Sequence, residues 1–241
     1  MSRKDDYERM DTNKYLNLNL KTDGLPLPDV NAQFIEFFHR MDYKWWRDVE
    51  EGDVVVDIGA CVGFFVCHAL DRKASRIFAI EPSRPHLKTL IQNISDHYID
   101  NSTTPVIPIE AGIGSTSNHF NNVFSEYREF KRMSFLDLVV DYNIPKIDYL
   151  KIDCEGGEYG IFNDMNMEYL TTNVKHMAVE FHLSCYGGAA KQWIKVRDTL
   201  LPQFKKVFYR SFPILHPRLR QRISYSRLEP KSGQRLVSSN R

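Results

Sequence analysis

Acidic residues and one histidine end four apolar, β-branched runs of this chain. The runs reach Asp57, Glu81 and Asp153, and the fourth contains Glu180 and His182. A carboxylate accepts hydrogen bonds and faces positive charge, and an imidazole exchanges a proton near neutral pH. If the runs are parallel strands, these side chains border one ligand-binding crevice at the carboxyl edge of the sheet. The alternative is that strand ends are polar merely because they meet solvent.

A glycine-containing turn follows the first of these runs. Residues 54–63 read VVVDIGACVG, which predicts a buried strand and a turn, and residues 64–70 are predicted to form a helix. Backbone N–H groups at such a helix start can bind the polar end of a ligand, and Gly59 and Gly63 allow close approach. Glu81 follows at about the separation, roughly 20 residues, at which dinucleotide-binding folds place a carboxylate on ribose.

Two cofactors suit this turn, a nicotinamide dinucleotide and S-adenosylmethionine. The dinucleotide fingerprint Gly-x-Gly-x-x-Gly is absent, since the turn reads Gly-Ala-Cys-Val-Gly. Asp57 directly before the turn repels a pyrophosphate but tolerates or attracts an amino group and a sulfonium. The residues therefore favour S-adenosylmethionine.

The remaining pattern predicts an α/β protein with a doubly wound, mostly parallel sheet in one domain. Residues 112–130 lack a clear period and are expected to form a loop or irregular hairpin. Strands are predicted at 54–56, 76–81, 106–109, 147–153, 176–182, 206–209 and 223–228, and helices at 64–70, 85–97, 135–142 and 191–201.

The two ends of the chain differ from its centre. Residues 1–28 are predicted to be a polar arm, a helix is expected from Asp29, the domain covers 29–228, and 229–241 form a basic tail. A hydrophobic share of 42% and a charged share of 26% are ordinary for a soluble protein. No apolar run is long enough to span a bilayer, and no signal peptide or Cys-x-x-Cys pair is present, so a reducing, cytoplasmic location without membrane contact is expected.

Five stretches of the chain together resemble the FkbM-like family of class I S-adenosylmethionine-dependent methyltransferases. They are VDIGACVG at 56–63, EP at 81–82, SFLD at 134–137, IDYLKIDCEGGE at 147–158 and VEFH at 179–182. The resemblance implies a Rossmann-like, seven-stranded sheet with an antiparallel last strand, and methyl transfer to a hydroxyl oxygen. Cys61 departs from the family's usual Asn, and Gly157 from a commonly larger residue.

Site roles follow from the residues and this resemblance. Asp57, Gly59, Ala60, Cys61 and Gly63 are expected at the methionine end of the cofactor, Glu81 at the ribose, Ala111 and Gly112 near the adenine, and Asp153 near the sulfonium or the acceptor. His182 is the expected general base because its ordinary pKa lies near neutrality, and Asp153 and Glu180 complete the catalytic set. For Glu158, capping of the following helix is the favoured interpretation.

A metal ion is the alternative for part of this set. Asp153, Glu180 and His182 could hold a divalent ion that orients the acceptor hydroxyl. No spacing rule supports these three residues as ligands, so we predict no metal site.

The acceptor is the least defined part of the prediction. A hydroxyl on a sugar or small metabolite is favoured, and ten basic residues against one acid from Lys205 onward permit an anionic acceptor. An RNA ribose 2'-O-methyltransferase is an alternative, although Glu180 and His182 stand where those enzymes typically have a lysine. A non-catalytic protein that binds nucleic acid or a partner is the second alternative.

Overall fold

The computed structural model describes residues 20–22, 47–98, 103–114, 130–183, 188–212 and 223–230, with the backbone alone at 208–212 and 223–230. Most of the predicted arm at 1–28, the helix predicted from Asp29 and residues 231–241 of the predicted tail lie outside the described residues. The strand that ends the described part reaches Pro230, two residues beyond the predicted domain boundary at 228.

A seven-stranded sheet forms the centre of the protein. Its strands lie in the order β3-β2-β1-β6-β7-β9-β8, and the first five are mutually parallel. Strand β9 is antiparallel to both of its neighbours, which confirms the expected antiparallel last strand. The bounds are β1 Val54–Ile58, β2 Arg76–Ile80, β3 Val106–Ile109, β6 Ile147–Ile152, β7 Val174–His182, β8 Phe204–Phe212 and β9 Ile223–Pro230.

Helices alternate with these strands and cover both faces of the sheet. They are α1 Phe64–Asp71, α2 Arg84–Tyr98, α3 Phe135–Asp141, α4 Glu158–Ile161, α5 Met167–Thr172 and α6 Ala189–Lys195, which continues as a π-helix over Val196–Leu200. Neighbouring residues of β1 belong to different cores, because Val55 packs in one apolar cluster and Val56 in the other. The doubly wound prediction is therefore confirmed.

Most of the loop or irregular hairpin predicted over residues 112–130 lies outside the described residues, which include only 112–114 and 130 of that range. Strand β4, Gly112–Ile113, pairs in parallel with β5, Arg132–Met133. The next helix begins as expected, since the Ser134 hydroxyl accepts a hydrogen bond from the Asp137 N–H in a capping box. Within the described ranges, no helix has the length and apolar character needed to cross a membrane.

Candidate active site at the carboxyl ends of the strands

A buried ion pair joins the two central strands. The Lys151 ammonium on β6 donates to Asp57 Oδ1 on β1 at 3.0 Å and to the Gly59 carbonyl at 2.9 Å. Burial raises the pKa of Asp57 even though Lys151 acts in the opposite direction. Burial lowers the pKa of Lys151, but Asp57 and Asp153 outweigh it and raise the pKa, so the lysine stays protonated. Asp57 Oδ2 is buried and has no hydrogen-bond partner among the described residues.

The glycine turn is held by its own backbone. The N–H groups of Gly59 and Ala60 donate to the Ile80 carbonyl, and the Gly63 N–H donates to the Ala60 carbonyl. Gly59 has a φ of +85°, and a Cβ there would lie 1.7 Å from the Asp153 carbonyl oxygen. Glycine is therefore required at 59 for packing against the end of β6, a reason that the turn motif alone does not reveal.

Glu81 lies beyond the end of β2 and receives two backbone hydrogen bonds. Its Oε2 accepts from the Cys61 N–H at 2.9 Å and its Oε1 from the Ser83 N–H at 2.8 Å. Cys61 has a φ of +48°, a left-handed conformation that Asn adopts more readily than Cys. Burial lowers the pKa of His86, but hydrogen bonds with Cys61 and Glu81 outweigh burial and raise the pKa to about 11.

His182, the last residue of β7, lies among four carboxylates. Its Nδ1 is 2.8 Å from Glu158 Oε1, a hydrogen-bond distance. Its Nε2 is 3.4 Å from Glu155 Oε2, 3.6 Å from Glu180 Oε1 and 3.8 Å from Asp153 Oδ1. The structure thus brings together all three residues predicted to be catalytic and adds two glutamates.

The carboxylates change the acid–base character of His182. Burial lowers its pKa, but Glu155, Glu158 and Glu180 outweigh burial and raise the pKa well above its ordinary value. This shift favours the protonated imidazole, and a protonated imidazole cannot accept a further proton. The general-base role predicted for His182 therefore requires that something first compensates the surrounding negative charge.

Asp153 links the cofactor side of the site to the His182 side. Its N–H donates to the Ile58 carbonyl at the end of β1, and its side chain is one quarter exposed beside His182. Ala111 and Gly112 lie beyond the end of β3, where Ala111 is fully buried and Gly112 begins β4. These positions border the same edge of the sheet as the other predicted residues.

Three contributors were missed or only partly anticipated from the sequence. Lys151 was not predicted, although a lysine inside the apolar run IDYLKI was a visible signal. Glu158 lies in the first turn of α4, as predicted, but its Oε1 accepts from the Cys154 N–H, which precedes the helix, and the same oxygen contacts His182. Tyr159 donates its hydroxyl hydrogen bond to the His182 carbonyl and so supports the end of β7.

Several known proteins are similar to this chain in sequence or in fold. One curated relative, the hexuronic acid methyltransferase AglP of Haloferax volcanii, is 27% identical over 149 residues, which cover 56% of this chain and 59% of that protein. The N-terminal domain of human METTL16 in complex with SAH superposes with a TM-score of 0.48 at 12% identity, covering 89% of this chain and 77% of that one. The structure of aTrm5 in complex with tRNALeu superposes with a TM-score of 0.44 at 17% identity, covering 80% of this chain and 44% of that one.

The family assignment rests on the match of the sequence itself. Residues 57–210, more than half of the chain, match the methyltransferase FkbM domain. The matched range begins at the buried Asp57 and includes the glycine turn, Glu81, Asp153 and the whole His182 cluster. The chain is therefore a member of the FkbM methyltransferase family.

Proposed function

We propose that this protein is an S-adenosylmethionine-dependent O-methyltransferase that acts on a sugar or small metabolite, with a hexuronic acid as the first acceptor to test. The observation that carries the proposal is the convergence of Asp57, Glu81, Asp153 and His182 at the carboxyl ends of four adjacent parallel strands. This edge is where open α/β sheets bind their ligands.

The cofactor side has the charge that the methyl donor needs. Asp57 Oδ2 is a buried carboxylate oxygen without a hydrogen-bond partner among the described residues, so a cationic or hydrogen-bonding group of a ligand would satisfy it. Asp153 and Glu81 add negative charge close enough to influence Asp57. This field suits a cofactor with an amino group and a sulfonium, and Glu81 retains lone pairs with which to accept hydrogen bonds from ribose hydroxyls.

The chain's own residues would position the reactants. When bound, S-adenosylmethionine would supply an activated methyl group for the acceptor oxygen. Holding the acceptor oxygen in line accounts for up to about 7–11 kcal/mol of the barrier. Asp153 is suited to this task because it lies between the glycine turn and His182, and Glu158 holds the imidazole in one orientation.

The choice of a sugar acceptor rests on similarity. The curated relative is described as a hexuronic acid methyltransferase, and the aligned part spans only 59% of its length. A hexuronic acid offers both hydroxyl and carboxylate oxygens as nucleophiles. Only the hydroxyl requires a proton acceptor, so identifying the methylated oxygen would also show whether a general base is needed.

Binding and transfer are tested separately. Isothermal titration calorimetry with S-adenosylmethionine should show one site per chain, and Glu81→Gln should weaken binding because one ribose acceptor becomes an amide. Transfer of a tritiated methyl group should then be measured with glucuronic acid glycosides, with the matched glucosides that lack the carboxylate, and with RNA.

Each result has a clear meaning. Absence of cofactor binding to the folded protein would overturn the proposal as a whole. Label in RNA but not in sugars would replace the sugar acceptor with the ribose alternative. Equal labelling of glucuronides and glucosides would retain O-methylation of a sugar but reject recognition of the carboxylate.

A further inference from the structure

We propose that the His182 cluster is a binding site for one divalent first-row transition-metal ion, with His182 Nε2 and the carboxylates of Asp153 and Glu155 as the protein ligands. The role of the ion in holding the acceptor rests on the proposed function, whereas the site itself does not. From the sequence we predict no metal, with Asp153, Glu180 and His182 as the alternative ligand set; the geometry favours Glu155 in place of Glu180.

The spacing of the side chains fits an ion better than direct hydrogen bonds. Nε2 lies 3.4–3.8 Å from the three carboxylate oxygens, beyond the usual hydrogen-bond range of about 2.7–3.2 Å. Two ligands that each lie about 2.1 Å from an ion are themselves about 3.0–3.5 Å apart. Ligand atoms of Asp153, Glu155 and His182 all lie within 4.8 Å of one another, so small side-chain movements suffice to coordinate one ion.

Glu158 gives the imidazole the support that metal-binding histidines usually have. Its Oε1 lies 2.8 Å from Nδ1 and fixes Nε2 as the nitrogen directed at the other carboxylates. A carboxylate behind the distal ring nitrogen is the common outer partner of a histidine ligand. Glu158 is fully buried, and its Oε2 has no hydrogen-bond partner among the described residues, so a cation bound in the cluster would compensate the desolvated charge of this carboxylate.

The ligand chemistry and access narrow the choice of ion. Carboxylates suit Mg²⁺ and Mn²⁺, and imidazole suits Zn²⁺, Fe²⁺ and other transition metals, so a mixed set favours an ion such as Mn²⁺ that accepts both. Asp153 is one quarter exposed and Glu155 half exposed, which leaves a route from solvent. An ion here would bind acceptor oxygens and lower the pKa of a bound hydroxyl.

The site is tested by metal binding without any turnover. Full-length protein, treated with chelator and desalted, is titrated with Mn²⁺ while the paramagnetic resonance signal of free Mn²⁺ is recorded. We expect one Mn²⁺ per chain and at least about 10-fold weaker binding in His182→Ala and in Glu155→Gln, whose half-exposed side chain makes misfolding of that variant a minor concern. Glu158→Gln should weaken binding by about 10–100-fold through loss of orientation alone.

A matched control lies at the opposite edge of the sheet. Asp48 contacts His68 at 2.6 Å, so Asp48→Asn alters a similar histidine–carboxylate pair and should leave Mn²⁺ binding unchanged. No Mn²⁺ binding by the folded wild type, or equal binding by wild type, His182→Ala and Glu155→Gln, would overturn the site. Calorimetry with S-adenosylmethionine on the same metal-free sample separates the outcomes. A protein that binds the cofactor but not Mn²⁺ would reject only the metal site. A protein that binds Mn²⁺ but not the cofactor would reject only the proposed function.

Discussion

The amino and carboxyl edges of the parallel sheet arrange charge in different ways. At the amino edge, acids are matched with bases over short distances. Arg47 lies 2.9 Å from Asp53, before β1, and Lys146 lies 2.7 Å from Asp148, in β6. Asp148 also accepts from the N–H of Val54, which ties the starts of the two strands together. These pairs explain how the chain is held at this edge.

Among the described residues at the carboxyl edge, several carboxylates surround one imidazole. Asp153, Glu155, Glu158 and Glu180 all contact the imidazole of His182 within 3.8 Å. Carboxylates that lie this close together favour a positive charge among them.

The difference between the edges separates stabilising charges from functional ones. A charged side chain that forms an ion pair with a neighbour has a structural role, and no ligand is needed to explain its presence. A cluster of acids around one histidine, at the edge where such sheets bind ligands, is a candidate site for a ligand. Variants made in parallel at the two edges can therefore test this distinction.

Two glycines with nearly the same φ provide the largest contrast. Gly52, at the amino edge, has a φ of +87° and open space where a Cβ would stand, with nothing within 4 Å, whereas Gly59 has a φ of +85° and a Cβ there would lie 1.7 Å from the Asp153 carbonyl oxygen. Gly52→Ala should cost about 1–2 kcal/mol of unfolding free energy from backbone strain alone. Gly59→Ala should cost on the order of 4 kcal/mol or more and displace Asp153. Urea unfolding measures both, and equal costs would contradict the close packing at Gly59.

Two buried ion pairs give the next contrast. Asp57→Asn removes the carboxylate that pairs with the Lys151 ammonium. This should destabilise the protein by about 3–5 kcal/mol, because a buried ammonium loses its partner. Adding Lys151→Met should recover much of this stability but not the binding of S-adenosylmethionine. Asp53→Asn, which removes a partner of Arg47, should reduce stability and leave the cofactor dissociation constant unchanged. Calorimetry that shows similar cofactor binding by Asp57→Asn and wild type would remove Asp57 from the cofactor site.

Two buried histidines, each beside an acid, separate activity from stability. His182→Ala removes both the predicted proton acceptor and the proposed metal ligand, so it should lower turnover by about 10²–10⁴-fold while the affinity for S-adenosylmethionine stays within a few fold. His68→Ala, which loses the contact with Asp48, should lose about 1–3 kcal/mol of stability and retain turnover per folded molecule. Initial rates at saturating cofactor and thermal unfolding check the pair. Full turnover by His182→Ala on the acceptor would show that the cluster is not catalytic.

The sequence was most informative about features that depend on a single continuous run of residues. Apolar runs predicted the parallel strands, and the polar residues that end them placed Asp57, Glu81, Asp153 and His182 at one edge. These inferences depend only on the alternation of strands and helices along the chain and on the type of residue that ends each strand.

Contacts between distant strands could not be inferred in this way. Lys151 lies opposite Asp57 because β1 and β6 are neighbours with a particular register, although 94 residues separate the pair. The raised pKa of His182 depends on Glu155 and on Glu158, which faces the imidazole from the first turn of α4, and residue spacing alone does not bring these carboxylates together. The general-base role of His182 stays a prediction.

Asp148→Asn should give the smallest change in stability, and the pH dependence of that change tests the role of charge at the amino edge. Burial raises its pKa, but Lys146 and the N–H of Val54 outweigh burial and hold the pKa below the ordinary value of 3.8. Because the folded pKa lies below the unfolded one, the stabilisation is complete above the unfolded pKa and is lost as the pH falls through the folded pKa. Asp148→Asn should therefore cost about 0.2–1 kcal/mol at pH 7, and the difference from wild type should shrink below pH 3.8. Urea unfolding from pH 7 to about pH 3 measures this, and a difference that persists unchanged in acid would show that Asp148 stabilises the sheet by packing and not by charge.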